Sequence, residues 1–225
     1  MTRTSHPALI AYPAQAAFGR ILPKSKIYEH SGASARLKGL FVKQVEQIVW
    51  QYKLAPETIN LAAKPWVPEI QVFAIQLKTA ELNLDVLRCI DGAVQFPIIF
   101  ELGFDGRMQV IAAYKRPNES DATRWVLSDY FATKWLPNNI QRTALPMALD
   151  LGGLFEQVLQ CLIPLLARAQ ESFADLLARV GQVTAMHREV EKTASKLAKE
   201  KQFNRKVEIN ACLRQMKTDL ERMSQ

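Results

Sequence analysis

The residues best placed for chemistry lie along one apolar stretch, EIQVFAIQLK, from Glu69 to Lys78. Side chains alternate along a strand, so Gln76 and Lys78 fall on one face, two residues apart. A Gln-x-Lys or Glu-x-Lys pair with acids upstream is the layout of a nuclease-type metal site. There, carboxylates hold a divalent ion and the lysine orients or activates the attacking water. Glu57 and Glu69 are the upstream acids at hand. Two features weigh against the reading. Gln76 brings no charge to a hard cation that prefers carboxylate oxygens, and Pro56-Glu57 follows a predicted helix instead of sitting in a strand turn. A strand-end lysine reaching solvent explains Lys78 more simply, so no residue is assigned a catalytic role.

Other reactive groups are dispersed. His6, His30 and His187 fall on three different elements, and nothing local makes a metal cluster or a Cys/His pair. No metal and no cofactor are expected. The glycines form neither a phosphate-binding loop nor a dinucleotide fingerprint. Cys89, Cys161 and Cys212 are odd in number and far apart, which fits free thiols better than a disulfide framework.

Cations offer two candidate nucleic-acid contacts. Arg20, Lys24 and Lys26, with Tyr28 nearby, form a short basic segment read as extended. Further on, Arg188, Lys192, Lys199 and Lys206 lie along one helical stripe, assisted by Lys196 and Arg205. Residues 187–206 carry seven Lys/Arg against three Glu, a local +4 within a chain whose net charge is +7. Phosphate contacts need such a local patch more than a basic total. A solvated coiled-coil face accounts for much of the same pattern.

The elements that must position these groups follow from periodicity. Residues 1–19 read as an irregular arm. Leu37, Phe41, Val45, Ile48 and Tyr52 recur at helical spacing, predicting a helix over 35–52. Residues 69–78 are apolar on both faces, as in a covered central strand. A short helix over 81–91 follows, with Gly92 just past its end. Asp105-Gly106 between two apolar runs predicts a hairpin, residues 118–122 a polar loop, and 124–135 another strand. The fold class expected is α+β: a mixed α/β domain at 20–136 with about four strands, then a helical hairpin or coiled-coil-like region at 150–225. Pro- and Asn-rich residues 136–149 mark the boundary. Pro164 interrupts the apolar face running from Leu154 to Val180, and Gly181 is a plausible swivel. No apolar run approaches the length of a membrane span, and the N-terminus makes a poor signal peptide, so the cytoplasm is expected.

From 187 to the end the chain has no Pro or Gly and reads as one long helix. Ile209, Leu213, Met216, Leu220 and Met223 repeat at four and three, the seam of a coiled coil. That seam must bury itself against residues 154–180 or against a second copy, so self-association is one outcome. Its phase shifts across 199–204, where the lone aromatic Phe203 is the expected interface anchor.

Five blocks together, FGRILPKSKIYE, YKLAPETINL, EIQVFAIQLK, VLRCIDGAVQFPIIFEL and KEKQFNRKVEINACLR, resemble the bacterial family called domain of unknown function 4391, from about residue 18 to the C-terminus. The resemblance implies an accessory component found beside restriction-modification and helicase-type genes in defence clusters, and it carries over no catalytic residue. The expected function is a non-catalytic interaction subunit of a restriction-like or anti-phage system. It would dock helicase- or methyltransferase-type protein partners through Phe203, Ile209, Leu213, Met216 and Leu220. Two alternatives stand beside it: a restriction-endonuclease-like metal-dependent nuclease built on Glu57, Glu69, Gln76 and Lys78, and a non-cleaving DNA-binding subunit.

Overall fold

The computed structural model describes residues 5–118, 120–121 and 125–224. The chain divides into two compact units, Met1–Leu162 and Ile163–Gln225. The division falls later than the expected 136–149 boundary, so the first C-terminal helix belongs with the α/β unit.

The first unit runs β1 (Ser5–Ala11), a 3-10 turn, β2 (Ala17–Ile21), α1 (Lys24–Ser31), α2 (Ala35–Gln44), β3 (Val45–Leu54), the single turn α3 (Pro56–Ile59), β4 (Ile70–Leu77), α4 (Leu84–Ala93), β5 (Ile98–Phe104), β6 (Arg107–Pro117), β7 (Trp125–Ala132), β8 (Leu136–Pro137), β9 (Gln141–Ala144) and α5 (Leu151–Gln160). Seven strands form the main sheet in the order β2-β3-β4-β5-β6-β7, with β8 paired to β6, while β1 and β9 make a separate parallel pair. The chain is thus mixed α+β, with more strands than the four expected. Residues 5–19 are ordered into β1, the turn and most of β2, not an irregular arm. Arg124, expected to open a strand, and Glu119 and Ala122, expected in the preceding loop, lie outside the described residues.

Strands β4 and β5 are parallel and joined through α4; the neighbouring pairs are antiparallel. One sheet face packs under α1, α2 and α4, with Phe41, Ile48, Phe73, Ile75, Leu87, Ile90 and Phe100 in its core. Phe73 and Phe100 meet edge to face at 6.2 Å. The second face bears Val72, Ala74, Ile99 and Glu101. The β5–β6 turn forms as expected, because Asp105 and Gly106 both adopt positive φ, 46° and 68°, the geometry a two-residue hairpin demands.

The predicted helix over 35–52 stops at Gln44, and the chain enters β3 directly. Val45, Ile48, Val49, Trp50 and Tyr52 are β-branched or aromatic and pair with β4. A bulge between Val45 and Gln47 turns both Val45 and Ile48 toward the core. That bulge mimics the three-residue spacing of a helix. Residues 24–31 are helical instead of extended: Pro23 occupies the position just before α1, where its missing N–H leaves no bond unmade. Gly92 lies inside α4, not beyond it.

The second unit holds α6 (Phe173–Lys199) and α7 (Phe203–Ser224). The expected single helix over 187–225 is two, packed against each other. α6 runs through Gly181 without a swivel. A non-helical stretch from 161 to 172 separates it from α5, which resolves the break expected at Pro164. The α6–α7 turn needs neither Gly nor Pro. Glu200 is extended (ψ 135°) and its Oε1 accepts from the N–H groups of Lys201 and Gln202 at 2.8 and 2.9 Å, satisfying donors that the start of a helix leaves open. At the far end, the Arg179 guanidinium is buried and paired twice with Glu171, at 2.7 and 2.8 Å. Arg179 also donates to the Met223 carbonyl, and Arg168 to those of Arg222 and Met223, each at 3.3 Å. The last turn of α7 is therefore held beside the start of α6, so the pair is an antiparallel hairpin.

Candidate functional site

The strand candidates do not come together as a metal site. Gln76 stands opposite Gln47 across β3 and β4, with Gly103 and Met108 continuing the row on β5 and β6. This row opens onto a cleft of about 320 Å³ that also takes in Glu101, Arg107 and Asn138. Gly103 has a steric role there: a Cβ would stand 2.8 Å from the Gln76 Oε1. Lys78 turns away and donates to the Val42 carbonyl at 2.9 Å. Lys24 does the same for the Phe41 and Val45 carbonyls, at 3.4 and 2.5 Å. Two ammonium groups thus cap the C-terminal end of α2, where the helix dipole and open carbonyls favour cations. Partial burial, and then Lys78, lower the Lys24 pKa. Glu57 and Glu69 both pair with Lys53, at 2.8 and 3.3 Å. Neither lines the cleft, and the acid that does, Glu101, is held by Arg142 in two bonds of 2.7 and 2.8 Å. Among the described residues no group of three His, Cys, Asp or Glu is placed to hold a metal ion.

Sequence reasoning missed the Glu101–Arg142 pair, whose members are far apart in the chain and carry no local motif. It missed a second buried network as well. Lys115 is 1% exposed and donates to the carbonyls of Asp91 (2.6 Å) and Val94 at the end of α4, while Tyr130 donates to the Asp91 carboxylate. Burial raises Asp91 to about 6, against the opposing pull of Lys115, and burial lowers Lys115. The network ties α4 to β6 and β7. Its groups face the interior and bond one another, so its role is structural.

The basic candidates separate. Arg20 lies on β2 with its guanidinium 4.6 Å from the Phe18 ring centre. Lys24 caps α2 as above, and Lys26 pairs with Glu29 on α1. No shared phosphate grip results from these three. Arg188 and Lys192 lie exposed along α6, Lys192 against Glu189 at 3.4 Å. Lys199 ends α6 and Lys206 lies in the first turn of α7, both exposed.

Among the interface candidates, Leu213 and Leu220 are buried, with Ile209 and Met216 half-buried. Since α7 packs on α6, the chain itself covers this seam. Phe203 is different. It stands 77% exposed at the start of α7, and Val207, one turn later, is 55% exposed. All three thiols are free.

An α/β unit built on a seven-stranded sheet, followed in the chain by a helical hairpin, therefore defines the class. A family model described as domain of unknown function 4391 matches residues 10–220. The chain belongs to that family. No curated protein and no solved structure matches it. Among the described residues no helix is long and apolar enough to cross a membrane.

Proposed function

We propose that the protein is a non-catalytic accessory subunit of a bacterial restriction-like or anti-phage system, working in the cytoplasm and docking onto other components through the tip of its helical hairpin. The observation that carries this reading is the exposure of Phe203 and Val207. They lie four residues apart on one side of α7, away from the seam that Leu213 and Leu220 bury. Exposed aromatic residues of this kind anchor interfaces. The family resemblance supports the defence setting. A metal-dependent nuclease draws less support, because amides stand at Gln47 and Gln76 where a divalent ion needs carboxylates, and Lys78 is engaged by the Val42 carbonyl.

The test is recovery of helicase- or methyltransferase-type companions with the tagged full-length protein from its native host. The variant Phe203→Glu/Val207→Glu, altered at exposed positions, should keep its fold and lose those companions. Recovery equal to that of the unaltered protein would contradict the proposal.

A further inference from the structure

Five cations crowd the same hairpin tip. Lys196 and Lys199 lie in the last turn of α6, Lys201 in the link, and Arg205 and Lys206 in the first turn of α7. None of their side chains has a hydrogen bond or ion pair among the described residues. Along the shafts Lys192 pairs with Glu189 and Arg222 with Asp219, while Arg214 and Lys217 stand apart from the tip as single cations. Between residues 192 and 207 the one acid is Glu200. The N–H groups of Gln202 and Lys201 engage its carboxylate and, with the charges of Arg205 and Lys206 nearby, hold its pKa below the ordinary range. A solvated coiled-coil face alternates charges along its length, as the shafts do. The tip instead concentrates one sign at the site where the exposed aromatic stands.

Helical spacing sharpens the arrangement. Phe203, Lys206, Val207, Asn210 and Arg214 share one stripe of α7, and Glu208 lies on the far side of the helix. Cations flanking an exposed aromatic ring match the two features of a single nucleic-acid strand, regularly spaced phosphates and unstacked bases. An acidic protein segment would satisfy the cations but offer Phe203 no flat partner.

We propose that the hairpin tip binds single-stranded nucleic acid, with the five cations against successive phosphates and Phe203 stacked on a base. This rests on the reading of the tip as the contact point and adds a second ligand to it, beside the protein companions.

Fluorescence anisotropy of labelled 20-mers with the purified full-length protein tests it, using single-stranded DNA, single-stranded RNA, duplex DNA and polyglutamate of equal length. Five phosphate contacts on a single strand give a salt slope of about −3.5, hence a loss of roughly 100-fold between 50 and 200 mM salt. Lys199→Glu/Arg205→Glu should weaken binding by about tenfold or more and flatten the slope by at least about 1.4. Phe203→Ala should weaken it by about tenfold with the slope unchanged. Comparison of the two single strands identifies the sugar preferred. Absence of single-strand binding at 50 mM salt overturns the proposal, as does binding that both variants leave intact, or an equal or better affinity for duplex or polyglutamate. Failure here, together with loss of companions in Phe203→Glu/Val207→Glu, leaves the docking reading standing. Oligonucleotide binding with companions retained removes protein docking alone.

Discussion

Replacing Lys115 by Met removes the buried cation that ties α4 to β6 while keeping the side chain's length. Two acceptors then lose their donor, the Asp91 and Val94 carbonyls, and the Asp91 carboxylate loses the cation 3.8 Å from its nearer oxygen while keeping the Tyr130 hydroxyl. Removing one partner of a buried ion pair typically costs about 3–5 kcal/mol, and the α/β unit should melt roughly 10 °C lower. The cost must also depend on pH. Burial raises Asp91 in the folded state from 3.8 to about 6. Its contribution is therefore fully present below pH 4 and is lost as pH rises toward 6. Without Lys115 the carboxyl should stay protonated past pH 7. The variant then loses stability over a wider range than the parent, so the penalty at pH 7 exceeds that at pH 5 by about 1.4 kcal/mol. Urea unfolding followed by tryptophan fluorescence measures this, because Trp50, Trp66, Trp125 and Trp135 all lie in the α/β unit. In an Asp91→Asn background, Lys115→Met should cost much less, and equally at the two pH values. A penalty below about 1 kcal/mol, or one equal at both pH values, would refute the network as described.

Four shorter predictions accompany it. The Arg179 guanidinium holds Glu171 down at about 2, so its contribution is complete above the ordinary glutamate range and is lost as pH falls through 2. Circular dichroism at 222 nm should show helix loss in that window, and Glu171→Gln should remove that acid transition. Leu213→Ala opens the buried α6–α7 seam and should cost about 2–4 kcal/mol by chemical denaturation, whereas Phe203→Ala should stay within about 0.5 kcal/mol. Gly106→Val places a β-branched residue at positive φ; it should lower stability by about 1–2 kcal/mol in the same urea assay. Lys78→Ala removes one cap on α2 and should cost about 1 kcal/mol, a purely structural effect that Mg²⁺ additions in a thermal melt should not change.

How much of this was legible in the sequence follows from the range of each interaction. The β5–β6 turn and β4 were readable because Asp105-Gly106 and the 70–77 apolar run carry their signals within a few residues. The α7 seam was readable for the same reason. Strand β3 was hidden by its own bulge, which gave Val45 and Ile48 helical spacing on the core side. β1 and β9 were hidden because parallel partners more than 130 residues apart leave no periodic trace. The turn after α6 was hidden because Glu200 does with a carboxylate what Gly or Pro does elsewhere. At the candidate site, Phe203 stood out as a lone aromatic. The concentration of unpaired cations around it required the antiparallel return of α7, and the same return put Ile209, Leu213, Met216 and Leu220 inside the chain.

The tip as contact point is tested most directly by placing a photoreactive phenylalanine analogue at Phe203 in the full-length protein in its native host, with the same analogue at Trp66 on the α/β unit for comparison. The account predicts adducts from position 203 with nucleic acid or a companion component of the defence system, and none from position 66. Adducts from position 66 alone, or none from either position, would contradict it.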